Sequence, residues 1–361
     1  MNKTLLLSLL LLLHLSFQAQ TSVAQAQTFA ISGTVANAKG EKLEAATAFI
    51  GNSQIATVTD KDGGFRISGL TPGTYQLIVN LLGYSSVKQE VVIKESSEVV
   101  NLVMPEKSIT LKGVSIGDES KRKNFLKTFT KYFLGESDNA KACVLVNPEV
   151  LDFSTNKSLM EATAEDFLII ENSGLGYRIK YLLTNFKYEN TNNVTTYDGE
   201  AFFEPMKGTE VQQAEWTANR EKIYKGSFMH YLRALFTNTT REEGFLTYAV
   251  KNQFFPMVAD PNPVTTSQVI QRIDSNFISV TYKKRLYTIY DPKQAAKEYK
   301  LMKGEKIVEE LDRTGSVLLI KAEIDARGRY SENQNILLQG FWSKQRIGDQ
   351  LPFEYDPIAK Q

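Results

Sequence analysis

Histidine and cysteine are nearly missing from this chain, with two His and one Cys in 361 residues. A single cysteine cannot close an internal disulfide, and it cannot supply a cysteine-based zinc or iron–sulfur site. Charge of one sign is also lacking, since 42 Lys and Arg stand against 41 Asp and Glu. A dedicated nucleic-acid binder needs a basic excess to neutralise phosphates, so no nucleic-acid partner is expected. Neither a P-loop nor a dinucleotide glycine fingerprint is present, and no cofactor is expected. Past Leu15 no apolar run is long enough to cross a bilayer as a helix, so no transmembrane segment is expected in the mature chain.

What the chain does have is 42% hydrophobic residues, too many for a disordered protein and enough for two domains with ordinary cores. Its start is distinctive. Lys3 precedes a leucine-rich run from Leu5 to Leu15, and Ala24-Gln25-Ala26 supplies a small-x-small site before Gln27. This pattern predicts a secretory signal peptide over 1–26 and therefore an exported protein of the periplasm, outer membrane or cell surface. No cysteine follows the site, so a lipid anchor on a mature N-terminal Cys is not expected. Removing 1–26 takes away Lys3 and His14, which leaves 41 bases, 41 acids and a single histidine, His230.

Residues 27–106 read as short alternating runs cut by turns. Phe29 to Val35 alternates, Asp60-Lys-Asp-Gly-Gly64 carries a hairpin signal, and Thr74 to Leu82 places Tyr75, Leu77 and Val79 on one face. Gln89 to Ile93 and Val99 to Val103 complete strands at sandwich-like spacing, so an all-β sandwich is predicted. Ile31-Ser-Gly-Thr-Val, Thr59-Asp-Lys-Asp-Gly-Gly-Phe-Arg-Ile, Leu70-Thr-Pro-Gly-Thr-Tyr and Gly83-Tyr84 resemble the carboxypeptidase regulatory-like domain. The resemblance implies a transthyretin-like or starch-binding-like β-sandwich. Such a module precedes many exported and outer-membrane proteins of Bacteroidetes-type bacteria, and in that family it is a non-catalytic appendage.

A connector is expected over 107–117, and 118–361 reads as an α+β domain with an antiparallel sheet. Phe125, Leu126, Phe129, Phe133 and Leu134 recur at helical spacing between Glu119 and Leu134. Further helices are predicted over Glu210–Tyr224 and Ser227–Thr237, the second with Ser227 as N-cap. Strands are predicted over Ala164–Glu171, Tyr177–Phe186, Tyr197–Phe203, Phe245–Asn252, Phe277–Tyr290, Val317–Ile324 and Ile336–Trp342. Segments such as Phe133-Leu-Gly-Glu-Ser-Asp-Asn-Ala-Lys and Gly226-Ser-Phe-Met-His-Tyr-Leu-Arg are similar to a Bacteroidetes family of carboxypeptidase-like regulatory domain-containing proteins, which has no established activity to carry over.

Tests for chemistry mostly end in exclusion. A zinc carboxypeptidase needs more nitrogen ligands than one mature histidine, and His-Glu-x-x-His is absent, so no metal site and no metallopeptidase activity are expected. No Gly-x-Ser-x-Gly elbow exists, and Ser227 is better explained as a helix cap than as a nucleophile for His230. Ser154-Thr-Asn-Lys157 and Ser137-Asp-Asn139 echo β-lactamase elements in reversed order without Lys-Thr-Gly, and read as surface turns. Asp60-Lys-Asp-Gly begins like a calcium loop but has Gly64 and Thr71 where ligands are needed, so a hairpin turn is preferred. Cys143, beside Ala142 and Val144, reads as a small buried hydrophobe.

One polar constellation remains as a hypothetical ligand site: Arg178 on a strand, Trp216 and Arg220 on one helix, and His230 and Arg233 on the next. If the helices cross the sheet, these form a basic, aromatic cleft for an anionic group or a sugar. The plainer reading makes them structural, pairing with Glu242, Glu243 or main-chain carbonyls, and it is preferred because such side chains at a helix–sheet seam usually satisfy buried polar groups. No catalytic residue is assigned. The overall expectation is an exported, non-catalytic binding or scaffold protein of the cell envelope with a glycan, a peptide or an envelope protein as partner. The alternatives are an accessory part of a TonB-linked uptake system and a carboxylate-dependent glycan hydrolase.

Overall fold

The computed structural model describes residues 27–107, 119–252, 256–298, 301–308, 315–331 and 335–357. The expected signal peptide and the connector beyond Lys107 lie outside the described residues. The chain is mostly β: an N-terminal sandwich followed by a sheet-rich region.

The sandwich forms where the alternation predicts it. Phe29–Asn37 pairs antiparallel with Gly64–Leu70 and parallel with Glu98–Val99 and Leu102–Met104. The facing sheet orders Ala56–Val58, Thr47–Ile50, Gly73–Asn80 and Val87–Ile93, all antiparallel. Ile31, Val35, Ile67, Tyr75, Leu77, Val79 and Ile93 fill the space between. The Asp60 carboxylate accepts the N–H groups of Asp62 (2.9 Å) and Gly64 (2.8 Å), so it shapes the hairpin. Gly63 there has φ +70°, and a Cβ on it would lie 2.4 Å from the Val35 carbonyl oxygen.

The region expected as one α+β domain is built on two antiparallel sheets with separate apolar cores. In the first, Tyr177–Glu189 pairs along one edge with Val194–Pro205, and along the other with Leu168–Asn172 and then Leu159–Ala164. Leu151–Asn156 and Cys143–Leu145 extend it. The helix Glu119–Leu134 lays Phe129 and Phe133 on this sheet, the Phe129 ring 4.9 Å from Phe186 and the Phe133 ring 4.9 Å from Tyr181. The predicted strand Ala164–Glu171 is instead the end of one strand and most of the next, because the Asp166 carboxylate accepts the Phe167 N–H at 2.7 Å and turns the chain between them.

The second sheet orders Ile270–Arg272, Phe277–Thr281, Gly315–Asp325, Leu286–Tyr290, Phe245–Val250, Val258–Pro263 and Lys306–Ile307, with Asn335–Gly340 on the other edge of Gly315–Asp325. The long stretch Phe277–Tyr290 is therefore two strands lying end to end along one neighbour. Two helices join the sheets. Thr209 caps Glu210–Tyr224 in a reciprocal box with Gln212, and the Ser227 hydroxyl caps Phe228–Thr237 by accepting the His230 N–H at 3.1 Å.

Two turn assignments need correction. Ser154 to Asn156 are strand, and only Lys157, at φ 55°, is in the turn. Ser137 caps the short helix Asp138–Lys141 and donates to the Asp349 carboxylate at 2.6 Å, tying that helix to the C-terminal segment. Cys143 is half-buried, its thiol donating to the Asn139 carbonyl at 3.3 Å, and burial pushes its pKa up to about 12.

The sandwich is fastened to both later sheets. Its strand Gly73–Asn80 is buried on both faces, one in the sandwich core and the other against the first of these sheets, where Phe49 meets Phe167 and Phe202 with ring centroids 5.8 Å apart. Asn52 donates its N–H to the Ala201 carbonyl at 2.7 Å, and Phe203 donates to the Ser53 carbonyl at 2.8 Å. Buried Glu200 pairs with Lys88 at 2.8 Å. The C-terminal segment crosses the same seam, with the Phe353 N–H on the Asn52 carbonyl at 2.9 Å.

Candidate functional site

The five residues singled out in sequence fall into three places. Arg178 stands on the exposed face of its strand and pairs across the sheet with Glu171, while Tyr177, Ile179 and Tyr181 fill the core on the opposite face. It takes no part in a cleft with the others.

Trp216 and Arg220 serve the turn that joins Leu168–Asn172 to Tyr177–Glu189. The Trp216 indole N–H donates to the Ser173 carbonyl at 2.7 Å, Asn219 to the Gly174 carbonyl at 2.9 Å, and Arg220 Nε to the Leu175 carbonyl at 2.7 Å. Arg220 Nη2 reaches the Gly176 carbonyl at 3.3 Å, and its guanidinium lies 4.2 Å from the Tyr177 ring centroid. One helix face thus supplies a donor to each of four consecutive carbonyls, and the Gly176 carbonyl also accepts the Met206 N–H at 2.9 Å. Burial lowers the Arg220 pKa.

His230 and Arg233 do share a cleft. The His230 Nδ1 accepts the Gly226 N–H at 3.0 Å, so the imidazole is neutral with its proton on Nε2, which donates to Glu243 Oε2 at 3.2 Å. Its ring lies between Tyr224 (4.7 Å) and Phe245 (4.8 Å), and burial pulls its pKa below the ordinary value, with Glu243 opposing. Arg233 donates to three main-chain carbonyls, those of Arg327 (3.0 Å), Tyr355 (2.7 Å) and Phe353 (3.0 Å), and so clamps the C-terminal segment. The basic cleft for an anionic group, the less favoured of the two readings, is not what assembles, because the Arg220 and Arg233 donors are committed to backbone.

What assembles is a cleft of about 540 Å³ between the sandwich, the His230 helix and the C-terminal segment. Ile55, Leu70, Ala234, Phe353 and Pro357 give it apolar walls, and the exposed carboxylates Glu243, Glu354 and Asp356 give it an acidic rim. Glu354 Oε2 accepts the Gln54 N–H at 2.9 Å, and loss of hydration raises its pKa although the side chain reaches solvent. Sequence reasoning missed Tyr75, Arg327 and the 353–357 segment. The one local clue was Asp325-Ala-Arg-Gly328, a turn signal like that at Asp60, with Gly328 at φ +76°. Among the described residues no three His, Cys, Asp or Glu side chains converge as metal ligands.

Residues 31–116 match the CarboxypepD_reg-like domain family. The sandwich is a carboxypeptidase regulatory-like domain. No curated protein matches the chain. Among solved structures, the chain is similar to a streptococcal ancillary pilin at 14% identity, covering 23% of this chain and 33% of the pilin, with a TM-score of 0.20. It is similar to the 3-chlorocatechol 1,2-dioxygenase of Rhodococcus opacus 1CP at 11% identity, covering 23% of this chain and 60% of the enzyme, with a TM-score of 0.20. A third similarity, to the group B streptococcus pilus 2b backbone protein, has 16% identity, covers 22% of this chain and 42% of the pilin, and has a TM-score of 0.20. The chain thus spans 33 to 60% of the lengths of these proteins.

Proposed function

We propose that this is an exported, non-catalytic binding protein of the cell envelope, and that its regulatory-like domain helps to form a binding site for a peptide segment of an envelope partner. The composite cleft carries this reading. Its walls come from the sandwich and from the later helices and tail, so the regulatory-like domain is part of the site. Apolar walls under a rim of Glu243, Glu354 and Asp356 suit a segment that alternates apolar side chains with lysine or arginine. The non-catalytic half is supported by what the reactive side chains do. His230 uses both ring nitrogens structurally, and the Cys143 thiol is held protonated.

The test is titration of the chain lacking residues 1–26 with basic, neutral and acidic amphipathic peptides. Basic peptides should bind best, and a Glu354→Gln, Asp356→Asn double variant should weaken them roughly tenfold, with a loss of salt dependence. Binding that ignores both substitutions would remove the cleft from the function, and turnover of a bound peptide would overturn the non-catalytic reading.

A further inference from the structure

A second cavity, of about 370 Å³, lies between the two later sheets and is closed on one side by the C-terminal segment. It falls within the roughly 300–1,000 Å³ range of small-molecule sites. Phe228, Leu232, Tyr330, Leu338 and Trp342 give it a broad apolar lining. Among the described residues, the charged side chains that line it are Asp198, Asp349 and Arg346.

The two acids have partners of their own, and the arginine has no counter-charge. Asp349 is buried and accepts the Ser137 hydroxyl at 2.6 Å, and burial raises its pKa. Asp198 is exposed, on the side open to solvent, with the Lys88 ammonium 4.0 Å away. Arg346 is half-buried, and among the described residues no carboxylate pairs with it. In this it differs from Arg220 and Arg233, whose donors are spent on carbonyls, and from Arg327, which is paired with Asp325. Its stem lies against Gly135, which is not in the cavity lining: a Cβ built on that glycine would stand 3.2 Å from the Arg346 Cβ and 3.5 Å from its Cγ. Its guanidinium lies 5.7 Å from the ring centroid of Tyr197, which is in the lining. The charged end is therefore the part that reaches the cavity, and its nitrogens are open to a small molecule there.

We propose that this cavity binds a small apolar carboxylic acid, its carboxylate accepting from the Arg346 guanidinium and its hydrocarbon body lying against Phe228, Leu338 and Trp342. One carboxylate matches one planar guanidinium in a two-point hydrogen bond, and the apolar walls strengthen that pair by excluding water. An uncharged hydrocarbon would displace water from the guanidinium and offer it no acceptor. A second negative charge on the ligand would face Asp198 with no free cation to offset it. Inorganic phosphate would also leave the apolar lining unfilled. This site is separate from the acidic-rimmed cleft and does not depend on what that cleft binds.

The experiment is calorimetric titration of the chain lacking residues 1–26 with octanoate and phenylpropionate, each beside the alcohol of the same body, and with inorganic phosphate. At least one acid should bind saturably, its alcohol roughly tenfold more weakly, and phosphate weakest of all. Arg346→Gln should bring the acid down to the level of its alcohol and leave the alcohol unchanged. That substitution breaks no ion pair, so its melting temperature should stay close to that of the parent chain. Leu338→Trp, which fills the cavity, should weaken acid and alcohol together, and Arg346→Gln keeps the test decisive if the tryptophan variant folds poorly. Peptide binding at the cleft should be unchanged in Arg346→Gln, which separates failure of this site from failure of the other. Failure of both acids to bind, equal affinity for acid and alcohol, an acid-to-alcohol ratio untouched by Arg346→Gln, or phosphate binding as tightly as the acids would each overturn the proposal.

Discussion

The Arg327 guanidinium lies 3.8 Å from the centroid of the Tyr75 ring, so that a side chain just past the strand Gly315–Asp325 covers an aromatic of the sandwich. Around this contact a small polar knot closes. Wholly buried Asp325 accepts from the Thr74 N–H at 3.0 Å, the Arg327 Nη2 at 2.7 Å, and the Arg327 and Arg329 N–H groups at 2.9 and 3.0 Å. Arg327 returns a bond to the Thr74 carbonyl at 2.7 Å. A buried carboxylate with this many donors is stable where it sits, and it joins residues 251 positions apart.

Removal of that carboxylate should therefore loosen the sandwich more than it harms either sheet. Asp325→Ala leaves Arg327 without its counter-charge and the Thr74 N–H without an acceptor, at a cost of about 3–5 kcal/mol. Scanning calorimetry should show one unfolding transition in the parent chain and a separate, earlier sandwich transition in the variant. A single transition at an unchanged temperature would refute the coupling.

A second expectation concerns Gly176 and Trp216. Gly176 has φ +70°, and a Cβ built on it would stand 2.3 Å from two carbon atoms of the Trp216 ring. Gly176→Ala must both strain the backbone and push the indole away from the Ser173 carbonyl, so a loss of about 3 kcal/mol is expected. Chemical denaturation measures it, and a loss below about 1 kcal/mol would mean that the ring has room to move.

The third expectation is a pH dependence from His230. Its folded pKa lies below the ordinary 6.5, because burial disfavours the charged ring and outweighs Glu243, with Arg233 and Lys225 adding to the depression. As pH falls the unfolded chain takes up this proton first, so the stability held by neutral His230 is present above about 6.5 and lost as pH drops through the depressed value. Asp349 and Glu354, whose pKa values burial raises, act in the opposite sense, so the variant must be compared with the parent. The melting temperature of the parent should fall from about pH 7 to about pH 5 more steeply than that of His230→Gln. Equal slopes would show that His230 does not titrate as described.

Several elements were legible because their signals are local. Asp60 and Gly63 dictate a hairpin through their own hydrogen bonds and backbone angles. Ser227 caps its helix from one residue away, and the Phe129–Phe133 stripe needs only a helical period to appear. The structural reading of Trp216 and Arg220 was also accessible, and of the partners anticipated it is the main-chain carbonyls, those of 173, 175 and 176, that they meet. The division of 119–357 into two sheets was not legible, since Phe277–Tyr290 alternates like one strand and its break is decided by the partner Gly315–Asp325.

Local sequence by itself determined the sandwich, the helix caps and the scarcity of reactive side chains, because each depends on residues a few positions apart or on composition alone. Tertiary structure alone decided which polar groups meet. Arg178 went to an exposed cross-strand pair and Arg233 to the backbone of 327–355, while Thr74 found Asp325 and Asn52 found Gln350 across most of the chain length. Such partners are chosen by the burial of apolar surface elsewhere, which brings the segments together first and leaves each buried polar atom to find a donor or acceptor within reach.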